Sequence, residues 1–338
     1  MSALKYIHIE DFELHSGVQI SIPLSYQVFG RPLYEAPIVL VNHALTGNSE
    51  VSGEDGWWKT IVGKGKVIDT EDYTVLSFNV PGNGHGDEGQ ELYEDYKSFI
   101  ARDIARLFYE GLDALNIKTL YACIGGSVGG GIAWEMAALR PEAIDYVIPI
   151  ACDWKSTDWL IANCYIQDQI LNHSKEPLKD ARIHAMTFYR TPESFTEKFN
   201  RTKKSDTLFN VESWLEHHGK KLNERFKLSA YKMLNQILKT IDITRDGKSF
   251  IETAKSITSH IHIITINSDL FFKSEESWNT YIDLKLVKEN VTIGEIKSIH
   301  GHDAFLIEYQ QLNRLLKPIF KIKSTENDSH KSSYIRHW

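Results

Sequence analysis

Residues 124–131 read Ile-Gly-Gly-Ser-Val-Gly-Gly-Gly, directly after an apolar run at 119–123 and directly before a stretch of helical composition at 132–139. Inside the glycines lies Gly125-x-Ser127-x-Gly129. This pattern belongs to a sharp strand-to-helix turn that lifts a serine hydroxyl clear of a sheet. The flanking glycines let the backbone pass where a Cβ would clash. A phosphate-cradling loop is the competing reading, but neither Gly-x-Gly-x-x-Gly nor Gly-x-x-x-x-Gly-Lys-Ser/Thr occurs here. One segment therefore predicts a fold class, a nucleophile and a reaction class.

The rest of the chain has the alternation that such a turn needs. Strand-like runs at 18–29, 37–41, 73–78, 119–124 and 144–150 are separated by helical or loop composition. Those at 37–41 and 73–78 are short apolar runs suited to strands buried on both faces. Over 96–116, Phe99, Ile100, Ile104, Leu107 and Phe108 recur at helical spacing, with Arg102, Arg106 and Glu110 opposite. Strands joined by helices imply an α/β fold with a mostly parallel sheet and right-handed crossovers. From 154 to about 255 the strand-like runs vanish, and helical segments follow at 156–172, 178–189, 192–199, 211–226 and 228–241. The expected organisation is a first core part at 1–153, a helical lid at 154–255, a second core part at 256–320 and a polar tail at 321–338. In the second core part, strands are expected at 260–266 and 291–296 and a final helix at 304–319.

Composition narrows the partners. A net charge of -7 argues against nucleic acid or an anionic membrane as the main partner, while leaving room for a small anion held by local cations. The N-terminus carries no signal-peptide pattern, and no apolar run is long enough to span a membrane. Cys123, Cys152 and Cys164 make no Cys-x-x-Cys and read as free, mostly buried thiols in a reducing cytoplasm. His260 and His262 share a strand face and could mimic a metal pair. Without a third ligand at suitable spacing or a His-Glu-x-x-His, they read as half-exposed strand residues, and no metal is expected.

A serine hydroxyl becomes a nucleophile when an imidazole takes its proton and a carboxylate holds that imidazole's tautomer. With the serine on such a turn, the partners follow in the order Ser, Asp or Glu, His. Asp269 follows the expected strand at 260–266, at the sheet edge where open parallel sheets build their sites. The same position suits a turn or cap aspartate. His300 and His302 both lie in the loop after the next strand; His302, leading straight into the helix, is the favoured base. The oxyanion of acyl transfer needs two N–H donors, expected at Val128 and at Leu45 in the loop after the third strand.

Several further segments together resemble the homoserine O-acetyltransferase family of the α/β-hydrolase superfamily. They are His43-Ala-Leu-Thr-Gly47, Gly56-Trp-Trp58, Val62-Gly-Lys-Gly-Lys66, Ile68-Asp-Thr70, Thr187-Phe-Tyr-Arg190, Val211-Glu-Ser-Trp-Leu215, Ser268-Asp-Leu-Phe271 and Gly301-His-Asp-Ala-Phe-Leu306, in the family's order around the serine segment. The resemblance implies an α/β-hydrolase fold with Ser127, Asp269 and His302 as triad. It also implies that Arg190 and Asp303 hold the carboxylate and the amine of L-homoserine. Acetyl-CoA would be a co-substrate, no cofactor would be bound permanently, and the protein would be a homodimer of methionine biosynthesis. The chain departs from the family at 79–89, where Asn-Val-Pro-Gly-Asn-Gly-His-Gly-Asp-Glu-Gly replaces a Gly-Gly-Cys-containing stretch. It also has Val128 where most relatives carry methionine. An ester or amide hydrolase with the same triad is the alternative function, and a non-catalytic binding protein the third.

Overall fold

The computed structural model describes residues 2–86 and 93–320, so the 87–89 end of the divergent segment and the 321–338 tail lie outside the described residues. Eight strands make one sheet: β1 (Lys5–Glu13), β2 (Gln19–Gly30), β3 (Ile38–Asn42), β4 (Thr74–Phe78), β5 (Leu120–Gly126), β6 (Ile144–Ile150), β7 (His260–Ile266) and β8 (Val291–Ile296). Their spatial order is β1-β2-β4-β3-β5-β6-β7-β8. Only β1–β2 and β2–β4 pair antiparallel; every pair from β4 across to β8 is parallel.

β3 and β4 are buried at every position. The pleat sends Ile38 and Leu40 into one apolar layer and Val39 and Val41 into the other. The first layer continues into α1 (Ala101–Ala114) and α2 (Val128–Leu139) through Phe108, Leu112, Ile132 and Met136. The second is closed by α11 (Tyr309–Phe320) through Leu312 and Leu316.

Between β6 and β7 the chain forms α3 (Asp158–His173), α4 (Pro177–Tyr189), α5 (Pro192–Phe199), α6 (Asn210–Arg225), α7 (Leu228–Lys239) and α8 (Phe250–Ser256). The two ends of the α3–α7 layer are tied together: Ser156 N–H donates to Ile241 O at 2.9 Å and Ile243 N–H to Trp154 O at 3.2 Å. α8 packs against α2 and α9 (Ser274–Lys285) of the sheet-flanking layers. A small antiparallel pair, Lys203–Ser205 with Leu208–Phe209, interrupts the helices.

Three local expectations differ from the structure. Arg102, expected on the polar face of α1, is buried and paired with Glu135 of α2 at 2.5 Å. The expected final helix is divided into α10 (Ala304–Ile307) and α11, because Glu308 leaves helical geometry and takes a hydrogen bond from Ser298 Oγ at 2.8 Å. His262 is buried against Thr292, its Nδ1 2.7 Å from the hydroxyl, while His260 stays half-buried.

Candidate active site

Ser127 joins β5 to α2 with φ 57° and ψ −128°, a conformation that L-residues rarely adopt. Its N–H donates to Ile150 O at 2.9 Å, and its carbonyl receives the N–H groups of Gly130 and Gly131. The turn is so tight that side chains on its glycines would collide. A Cβ on Gly129 would lie 2.4 Å from Asn42 O, one on Gly130 2.3 Å from Cys152 Sγ, and one on Gly126 2.5 Å from the Phe305 ring. The close approach of Gly129 sets the end of β3 directly against the first turn of α2.

The two amides expected to receive an oxyanion, those of Val128 and Leu45, are without a backbone acceptor among the described residues. Val128 is the first residue of α2, so no intrahelical carbonyl can accept from its N–H, and the helix dipole adds positive potential there. The Leu45 N–H makes no backbone hydrogen bond among the described residues. His43 shapes that loop. Val80 N–H donates to its Nε2 at 3.0 Å, which leaves Nδ1–H to donate to Ala44 O at 2.8 Å. Complete burial pushes its pKa down to about 4, so the ring is neutral.

His302 and Asp269 meet at the ends of β8 and β7. His302 Nδ1 lies 2.7 Å from Asp269 Oδ2, while Asp269 Oδ1 accepts the N–H groups of Phe271 at 2.7 Å and Phe272 at 2.9 Å. The two loops are fastened to each other: Gly301 N–H donates to Ser268 Oγ at 3.1 Å and Ser298 N–H to Asn267 Oδ1 at 2.8 Å. The His302 ring is enclosed by Tyr189, Phe271, Phe272 and Phe305, with centroids 5.3–5.8 Å away and Phe272 stacked upon it. Each such ring pair contributes about 0.5–1.5 kcal/mol. Among the described residues neither His302 Nε2 nor Ser127 Oγ makes a hydrogen bond, and neither is sealed from open space. An Asp-held imidazole with its second nitrogen free is the base that a raised serine needs in order to form and resolve an acyl-serine.

His300 is turned elsewhere, its Nδ1 3.2 Å from Ser194 Oγ of α5. Arg190, at the end of α4, and Asp303, next to His302, form an ion pair with Nε 3.1 Å from Oδ2. The arginine's terminal nitrogens have no partner among the described residues. Sequence reasoning missed the aromatic cage and the role of His43. The signals for the cage were the run Leu270-Phe-Phe272 beside Asp269 and Phe305 three residues after His302, whereas Tyr189 comes from a separate segment. No described group of three or more His, Cys, Asp or Glu side chains is placed to hold a metal, and no described helix is long and apolar enough to cross a membrane.

Comparison with known proteins gives this geometry a context. A family model described as the alpha/beta hydrolase fold matches residues 37–206. The chain is 35% identical over 302 residues to a homoserine O-acetyltransferase of Chloroherpeton thalassium, covering 82% of this chain and 78% of that one. It is 28% identical over 344 residues to a homoserine O-acetyltransferase of Chlorobium chlorochromatii, covering 93% and 94%. Among solved structures, homoserine O-acetyltransferase from Bacillus anthracis superposes with a TM-score of 0.85 at 18% identity, over 97% of this chain and all of that one. Esterase E22 superposes with a TM-score of 0.85 at 17% identity, over 95% of this chain and all of that one. At those identities the two structures show a shared fold.

Proposed function

The chain belongs to the homoserine O-acetyltransferase family of the α/β-hydrolase superfamily, and from that premise we propose that it moves an acetyl group from acetyl-CoA to the γ-hydroxyl of L-homoserine by way of acetyl-Ser127. What supports the reading is Ser127 on its strained strand-to-helix turn together with the 2.7 Å His302–Asp269 pair at the ends of β8 and β7.

In the first half-reaction Ser127 Oγ gives its proton to His302 Nε2 and attacks the thioester carbonyl. The Val128 and Leu45 amides receive the oxyanion, a donor of this kind being worth about 10²–10³ in rate. The intermediate collapses, the C–S bond breaks, and His302 returns the proton to the departing thiolate. In the second, His302 takes the proton of the homoserine hydroxyl, which attacks the acetyl-serine. The ester product leaves as the proton returns to Ser127 Oγ. Arg190 holds the acceptor's carboxylate and Asp303 its ammonium group, a division that suits a planar guanidinium and a carboxylate.

Transfer rather than hydrolysis requires that water be kept out while the acceptor is held at attack distance. The α3–α7 layer serves as the lid that does so. Its α3 leaves Trp159, Tyr165 and Ile166 exposed, an apolar set of the kind a second subunit covers, which supports a homodimer. We infer a cytoplasmic enzyme of methionine biosynthesis. The test is incubation with acetyl-CoA and a panel of hydroxy amino acids, followed by mass spectrometry. O-acetylhomoserine is the expected product; acetate alone, with or without acceptor, would establish the hydrolase instead.

A further inference from the structure

Three arginines of the helical layer converge on the site, and only Arg190 has a carboxylate partner. Arg182 of α4 makes no hydrogen bond or ion pair among the described residues; its guanidinium lies 5.6 Å from the Tyr189 ring centroid. That ring in turn packs 5.5 Å from His302. Arg225, the last residue of α6, donates from Nη1 to Thr46 O at 3.2 Å, one residue beyond Leu45 of the oxyanion loop. One cation therefore lies against the ring that packs on His302, and the other against the loop that carries Leu45.

Arg225 is exposed at its surface, while partial burial and the charge of Arg182 lower its pKa and no acidic side chain counters them. His218 is pushed down to about 4 by burial and by Arg182, His217, Arg190 and Lys198, so it stays neutral and adds no counter-charge. Among the described residues neither guanidinium has a carboxylate partner, so an anion that bridges them is favoured by both charges. Since the whole chain carries -7, attraction of an anionic substrate must come from a local surplus such as this.

We propose that Arg182 and Arg225 form an oxyanion-binding site on the lid side of the acyl pocket, separate from the Arg190–Asp303 pair, that takes a carboxylate or phosphate group of a substrate. Guanidinium forks match both chemistries. The identity of the ligand rests on the transferase reading: the acceptor supplies a carboxylate, the thioester donor supplies phosphates.

The test is calorimetric binding to the Ser127→Ala protein, which cannot turn over, with and without Arg182→Gln or Arg225→Gln. The probes are acetyl-CoA, acetyl-pantetheine (which lacks phosphates), L-homoserine, 4-hydroxybutyrate and inorganic pyrophosphate. Loss of a charged hydrogen bond should weaken binding by about ten-fold or more. If acetyl-CoA and pyrophosphate weaken while acetyl-pantetheine does not, the anion is the donor's phosphate. If homoserine and 4-hydroxybutyrate weaken, it is the acceptor's carboxylate. Arg182→Lys and Arg225→Lys, which keep the charge, should recover part of the binding and stand in should a glutamine variant fail to fold. Folded variants that bind all five probes as the parent does would overturn the site. Should the parent bind neither acetyl-CoA nor homoserine, the transferase reading falls, while pyrophosphate and 4-hydroxybutyrate still decide the arginine pair.

Discussion

Arg190 Nε donates to Asp303 Oδ2 at 3.1 Å, and both side chains are only about one-fifth exposed. The pair joins the end of α4 to the residue beside His302, so one contact fixes two groups proposed to grip opposite ends of the acceptor. The geometry leaves the terminal nitrogens of Arg190 for a bidentate contact with a carboxylate. Arg190→Lys keeps the charge but loses the fork. Loss of one charged hydrogen bond, worth roughly 1.5–3 kcal/mol, should lower kcat/KM for homoserine about ten- to hundred-fold. Rapid-quench measurement of Ser127 acetylation should show the first half-reaction little changed. A lysine variant with unaltered homoserine kinetics would reduce Arg190 to an ion-pair residue.

The bond between His302 Nδ1 and Asp269 Oδ2 leaves Nε2 as the ring nitrogen available to act as the proposed base. Asp269→Asn would offer an N–H donor in place of an acceptor and favour the wrong tautomer, a change that lowers kcat by about 10⁴ where this triad logic applies. His302→Ala should lose transfer to a similar degree. His300→Ala, which breaks only the contact with Ser194, should keep most of it. The reverse ranking of the two histidine variants in steady-state assays would move the base to His300.

Much of the fold was legible because its signals are local. The 120–139 strand, turn and helix lie within a single short window, and the buried strands β3 and β4 are continuous apolar runs. The elements that were not legible depend on distant partners. β1 alternates imperfectly because a bulge at Asp11, with φ 53°, shifts its register between Ile9 and Phe12. Arg102 has the helical phase of a surface residue, and nothing nearby in sequence announces Glu135. The order Ser127, Asp269, His302 could be read from motif and position. The full set of rings around His302 could not, since it is gathered from three segments, of which that of Tyr189 lies far from the others in sequence.

The strained backbone at Ser127 makes a prediction that separates conformation from chemistry. Both Ser127→Ala and Ser127→Gly remove the hydroxyl and should abolish acetyl transfer. They should differ in stability. Alanine keeps the penalty of φ 57° and ψ −128°, whereas glycine adopts this region freely. Relief of about 1–3 kcal/mol of strain outweighs the roughly 0.4–1 kcal/mol that glycine loses through a more flexible unfolded chain. Ser127→Gly should therefore be the more stable variant in urea unfolding, by on the order of 1 kcal/mol. Equal stabilities would mean that the turn relaxes when the serine is removed.

His43 links acid sensitivity to the oxyanion loop. Its Nε2 accepts from Val80 N–H, and a protonated ring would set two donors against each other there. Burial holds its pKa at about 4 in the folded protein, against about 6.5 in an unfolded chain. Between those values the unfolded state binds a proton that the folded state refuses, so stability is intact above pH 6.5 and is lost as pH falls towards 4. The full difference is on the order of 3 kcal/mol. His262, also pushed down to about 4, acts in the same sense. Glu135, raised to about 7 by burial, has the opposite slope and favours the folded state at lower pH. The His43→Gln variant isolates the effect, because a glutamine can accept from Val80 and donate to Ala44 without titrating. In urea unfolding at a series of pH values, the advantage of the wild type over His43→Gln should narrow by on the order of 2 kcal/mol between pH 7 and 4.5. Near-wild-type transfer by the variant at pH 7 would show that the loop geometry survived. A gap that stays constant with pH would mean that His43 accepts its proton in place.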